Sequence, residues 1–109
     1  MRVQMHKRAV VQGSVILHDR QTWMVAPLVN LSTGGIFVEG KTPLEKGSRV
    51  RVIVRSPGLA NPVLVRGNIV RVEKGKRTGI AIEFTSLSGE DRRRISTYVR
   101  ESRTEEFLK

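Results

Sequence analysis

With 109 residues, the chain has room for one domain and one core, not for a catalytic domain beside a regulatory one. It has no cysteine, which excludes disulfides and thiolate metal sites, and no apolar run near the roughly 18–20 residues that span a bilayer. Twenty Lys and Arg against ten Asp and Glu leave a net charge of +10, which favours an anionic partner: a nucleotide, nucleic acid, anionic lipid or an acidic protein.

In chain order, Met1 to Arg8 is expected as a flexible N-terminal arm. It carries charge but no apolar core of signal-peptide type, and the chain reads as soluble and cytoplasmic. Ala9 to Leu17 alternates as a strand with Val11, Val15 and Leu17 on one face. His18-Asp19-Arg20 makes a polar turn, and Thr22 to Val29 resumes extended structure. Asn30-Leu31-Ser32-Thr33-Gly34-Gly35 interrupts it, and Ile36-Phe37-Val38 follows as a short strand. Pro43 and Gly47 bracket a loop. Arg49 to Arg55 has the clearest period of two, with Val50, Val52 and Val54 inward and Arg49, Arg51 and Arg55 outward. Val63 to Val72 predicts a long strand with a bulge or bend at Gly67, and Lys74-Gly75-Lys76 a hairpin turn before the last strand, Thr78 to Phe84.

The pattern then becomes helical. Ser88 and Asp91 fit a capping box, and Ile95, Tyr98 and Val99 recur at helical spacing among arginines. The helix is expected to end after Arg103, with residues 104–109 as a tail. The predicted fold is all-β with one helix: a small six-stranded antiparallel β-barrel over residues 9–103, its open side covered by the C-terminal α-helix. Its core would come from Val11, Val15, Leu17, Ile36, Val38, Val50, Val52, Val54, Ile69, Ile80, Ile82, Phe84, Ile95 and Val99.

Catalytic chemistry finds little support. His6 and His18 lack partners at metal-ligand spacing, Ser32 has no Gly-x-Ser-x-Gly around it, and there is no P-loop. No enzyme activity, metal or cofactor is expected. A binding role fits better. Asn30 offers donors and acceptors to a nucleobase edge, and Ser32 can bond a purine or the adjacent backbone. Gly34 and Gly35 can adopt positive φ and admit a flat ligand close to the main chain. The same residues also suit an ordinary Asx-type hairpin turn. Upstream, Arg8 can stack its guanidinium on a base and fork onto a phosphate.

An arginine before the first strand, Asn-x-Ser-x-x-Gly after the second, a small barrel and a C-terminal helix together resemble the PilZ domain family. The resemblance runs from about Lys7 to Arg100. It implies a bacterial receptor for cyclic di-GMP, in which an N-terminal Arg-x-x-x-Arg motif wraps the ligand and Asp/Asn-x-Ser-x-x-Gly contacts guanine edges. Carried over, it assigns Arg8, Asn30, Ser32 and Gly35 to the ligand, with Gly34 nearby. The other arginine would fall at Gln4, with Arg2 and Lys7 close enough to substitute on a flexible arm. The expected mechanism is ordering of the arm on binding, which changes the surface offered to a protein partner. Two alternatives stand beside it. One is a PilZ-fold adaptor that does not bind the nucleotide, motivated by Gln4. The other is a basic barrel for nucleic acid, disfavoured by five dispersed aromatics with no stacking platform. Trp23 belongs to the strand leading to Asn30, so it either packs the barrel, lies on its surface, or sits near the ligand.

Overall fold

Alternating β-branched residues and a capped helix build the expected architecture. The computed structural model describes residues 8–75 and 78–108, the side chains of 104–108 excepted. The elements are β1 (Ala9–Val10), β2 (Ser14–His18), β3 (Trp23–Leu31), β4 (Gly35–Glu39), β5 (Arg49–Arg55), β6 (Val63–Glu73), β7 (Gly79–Ser86) and α1 (Gly89–Leu108). All strand pairs are antiparallel, in the order β3-β2-β5-β6-β7-β4, and β4 returns to β3 to close a six-stranded barrel. Closure removes the unpaired edges that an open sheet of this size would expose. β1 is a two-residue extension paired to the far end of β3.

Two boundaries differ from expectation. The single strand expected over Ala9 to Leu17 breaks into β1 and β2 at Gly13, where a Cβ atom would lie 2.1 Å from the Arg55 carbonyl oxygen. Strand β3 runs on to Leu31, so Asn30 and Leu31 belong to the wall and not to the interruption. In β3 one residue is extra: Leu28 pairs with Val38 and Asn30 with Phe37, leaving Val29 between them. Leu28 and Leu31 therefore both face the core, and Asn30 faces out. The bend expected at Gly67 coincides with a register shift at Arg66/Gly67, where the extra residue lies on β7.

The interior holds the expected residues, with Phe84 only half-buried at its margin. Leu31, Val63 and Val65 join it, as do Leu44 and Leu59 from loops. Each fully buried aliphatic side chain contributes about 1.5–3 kcal/mol.

The helix closes one end. The Ser88 hydroxyl accepts from Asp91 N at 3.0 Å, capping the first turn, and Asp91 in turn pairs with Arg94 at 2.8 Å. Ile95 and Val99 enter the core, the Tyr98 hydroxyl meets that of Ser56, and Arg94 donates to the Asn61 carbonyl. The backbone stays helical to Leu108, past the end expected near Arg103, because residues 104–108 contain neither Gly nor Pro to stop it.

The His18-Asp19-Arg20 turn is the β2–β3 hairpin. Asp19 Oδ1 accepts from the backbone N–H of Gln21 at 2.8 Å and of Thr22 at 2.7 Å. The Gln21 bond and then the Thr22 bond favour the ionised form, and the carboxyl is held below its ordinary value. A depressed folded-state pKa means that this contribution is complete above the ordinary Asp range and is lost as pH falls through the lowered value. An NMR titration of the Asp19 carboxyl carbon should give a midpoint below that of a free Asp, and Asp19→Asn should remove the associated pH dependence of stability.

Candidate ligand groove

The bulge in β3 puts Asn30 at one end of a continuous row on the outside of the barrel. The row runs Asn30, Phe37, Ala81, Arg71 across β3, β4, β7 and β6. Since Ile36 and Val38 point into the core, Phe37 between them points outward. It is nevertheless only 5% exposed. Its ring lies across Gly79, where a Cβ atom would come within 2.3 Å of Phe37 Cζ. The Arg71 guanidinium sits 6.0 Å from the ring centroid and makes an ion pair with Glu73 at 2.8 Å.

Arg8 stands over the Asn30 end of the row. Its Nη1 donates to Asn30 Oδ1 at 2.8 Å. Its backbone carbonyl accepts from Arg103 Nη1 of α1, also at 2.8 Å, so the helix holds the residue that leads into the barrel. A groove of about 530 Å³ opens between these groups, lined also by Thr33, Gly34, Glu83 and Arg92. Three guanidiniums thus face two carboxylates, and one of those carboxylates is already paired. The groove offers the edges of Phe37 and Ala81, amide and guanidinium donors and a surplus of positive charge. That chemistry suits a planar, hydrogen-bonding anion.

The rest of the expected site lies beneath this groove, not in it. Ser32 is fully buried. Its Oγ accepts from Gly34 N at 3.1 Å and Gly35 N at 3.2 Å and donates to the Gly35 carbonyl at 3.3 Å, while Ser32 N donates to that carbonyl at 2.9 Å. The hydroxyl therefore ties the β3–β4 turn. Neither glycine uses the positive φ expected of it; the positive-φ glycines among the described residues are Gly40, Gly47 and Gly75. Gly35 is required for another reason: a Cβ there would lie 2.1 Å from the Ile82 carbonyl oxygen across the β4–β7 pair. Arg8, Asn30 and Gly34 are brought together at the groove. Arg2, Gln4 and Lys7 lie outside the described residues.

Phe37, Arg71 and Arg92 were missed from the sequence as groove residues. Alternation around Ile36 and Val38 marks Phe37 as outward, and an outward aromatic beside a polar motif is a usable signal. Nothing local links Arg71 or Arg92 to Asn30, because β6–β7 pairing and the helix start bring them there. Trp23 is 70% exposed at the opposite end of β3, roughly 23 Å along the strand from Asn30. It is a surface residue remote from the groove.

A family model for the PilZ domain matches residues 3–101. The chain belongs to the PilZ domain family. Among solved structures it is similar to the Bacillus subtilis inhibitor of motility MotI/DgrA, with a TM-score of 0.82 and 15% identity over 96% of this chain and 53% of that one. It is also similar to the PilZ domain of Escherichia coli YcgR with c-di-GMP (TM-score 0.77, 13% identity, 96% and 95% coverage). The K. pneumonia MrkH–c-di-GMP complex gives a TM-score of 0.80 at 13% identity, covering 99% of this chain and 56% of that one. The chain thus spans about half the length of the MotI/DgrA and MrkH chains. No curated protein matches by sequence. No described helix is long and apolar enough to cross a membrane, and no group of three or more His, Asp or Glu among the described residues is placed to hold a metal ion.

The turn and the groove make separable predictions. Ser32→Ala leaves the Gly34 and Gly35 N–H groups without their acceptor and should cost about 1–3 kcal/mol. Gly35→Ala forces β4 from β7 and should cost about 3 kcal/mol or more. Urea unfolding without ligand should rank them in that order.

Proposed function

We propose that this chain is a receptor for cyclic di-GMP, with the nucleotide held in the groove between Arg8 and the Asn30–Phe37–Ala81–Arg71 row. The observation that carries the reading is the Arg8–Asn30 hydrogen bond at the mouth of a cationic groove that Phe37 helps to line. PilZ domains are regulatory receptors and not enzymes, and two of the similar structures contain c-di-GMP. On this reading Asn30 addresses a guanine edge, while Arg8 stacks on a base and meets a phosphate. Ser32 and Gly35 serve the ligand by holding the turn that presents Gly34 and Thr33. No cofactor takes part.

The output is a change at the arm. A ligand that takes the Arg8 guanidinium away from Asn30 also acts on the residue whose carbonyl Arg103 holds, so the arm and α1 report occupancy together. Arg2 and Lys7 supply charge from the arm where the family has its other arginine.

Calorimetry with cyclic di-GMP tests this. Wild type should bind, and Arg8→Ala and Asn30→Ala should each weaken binding by roughly 10- to 100-fold, the loss of one charge-assisted bond. Both variants should keep the wild-type unfolding free energy within about 1 kcal/mol, since the bond between the two side chains is exposed. No heat at high micromolar nucleotide from folded wild type would reject the reading. It would favour the second one, a PilZ-fold adaptor that acts without nucleotide, for which Gln4 in the place of an arginine is the specific observation.

A further inference from the structure

The outer wall of β3, β2, β5 and β6 carries a second ordered surface. Strand register places Val25, Ile16, Ile53 and Leu64 side by side in one row across the four strands. Their side chains point away from the core, and Val25 and Leu64 are 56% and 68% exposed. Three strand spacings make this stripe roughly 14 Å long. The next row is Trp23, His18, Arg51 and Arg66. On the other side lie Pro27, Ser14 and Arg55. An apolar stripe is therefore flanked by cations on both sides.

Arg51, Arg55 and Arg66 have no ion pair among the described residues. A groove of about 940 Å³ beside the stripe adds Arg20 and Arg49 to the same field. Asp19 is the carboxylate lining that groove, and its Oδ1 already holds the hairpin turn.

We infer that this wall docks a protein segment in which apolar residues are flanked by carboxylates. Exposed Trp and Arg around an aliphatic centre match the residue types that dominate protein interfaces. Unpaired guanidiniums on both sides of the stripe ask for acids in register with it. A second copy of the same face would set Arg51, Arg55 and Arg66 against their own kind on a chain of charge +10. A bilayer would have to take up the flanking guanidiniums with a stripe of short side chains only one residue wide. Nucleic acid would gain phosphate contacts but nothing from an aliphatic row. The inference rests on the receptor reading only in giving its partner a chemistry, and the wall lies apart from the nucleotide groove.

The test selects random peptides displayed on phage against the immobilised chain, then titrates the recovered peptide in solution. Recovered sequences should combine acids with apolar residues, and binding should shift the emission of Trp23, the chain's one tryptophan. Arg51→Glu with Arg66→Glu, and separately Leu64→Ser, should each weaken that binding about tenfold or more. The variants should keep the wild-type melting curve and wild-type cyclic di-GMP affinity. Recovery of no peptide, or of peptides without acid enrichment, would overturn the inference. So would affinity unchanged by the substitutions, or binding to phosphatidylglycerol vesicles or duplex DNA that the substitutions abolish while peptide binding persists. A wild type that binds the peptide but not cyclic di-GMP supports the docking wall and counts only against the nucleotide reading.

Discussion

One extra residue in β3 decides what this barrel shows to solvent. Strands alternate with a period of two, so Ala26 and Leu28 facing inward would carry Asn30 into the core as well. The residue left over at Val29 resets the phase, turning Leu31 inward and Asn30 outward opposite Phe37. A buried, unpartnered Asn amide would cost on the order of several kcal/mol, whereas the outward amide meets Arg8 at 2.8 Å. The groove needs this slip and a second one on β6, where Val70 is left over so that Arg71 pairs with Ala81 and the row runs on from Phe37.

The polar motif that follows the slip divides its labour. Asn30 and Gly34 reach the groove, while Ser32 and Gly35 are buried and structural. Ser32 N donates to the Gly35 carbonyl, which leaves Thr33 and Gly34 as the turn, and a two-residue turn of this kind ordinarily takes positive φ. Here the Ser32 hydroxyl gathers the two glycine N–H groups, and the turn needs no such residue. Gly35 then lets β4 approach β7 closely enough to align Phe37 with Ala81. A motif that looks like four ligand contacts in sequence is, in space, one edge of a groove and the clamp that holds it.

Much of the barrel was legible because each wall strand carries its own alternation. Val50, Val52 and Val54 announce their face without help from any other strand. The capped helix was equally local, since Ser88 acts three residues from Asp91. What escaped was whatever depends on two strands at once. The bulge at Val29 follows Pro27 by two residues, but Pro27 does not say which residue is left over, and that is visible only from the pairing with β4. The break at Gly13 reflects a close approach to Arg55, forty-two positions away, and Arg71 and Arg92 reach the groove through tertiary pairing. Asn30 could be singled out as a candidate from its chemistry, but its outward orientation could not.

A closed barrel also constrains how the proposed nucleotide and docking surfaces can communicate. Every strand of the ring is hydrogen-bonded on both sides, so the wall cannot slide one strand without breaking two ladders. β3 carries Asn30 near one end and Trp23 and Val25 near the other, yet a contact at the first gives the strand no second register to adopt. The parts with freedom to respond are those held by few bonds: Arg8, tied by its side chain to Asn30 and by its carbonyl to Arg103. On the proposed reading, the outer wall is therefore a constitutive dock, and cyclic di-GMP acts by adding or withdrawing the arm. A partner would then be recognised with or without nucleotide, and occupancy would decide what the arm does once the partner is there.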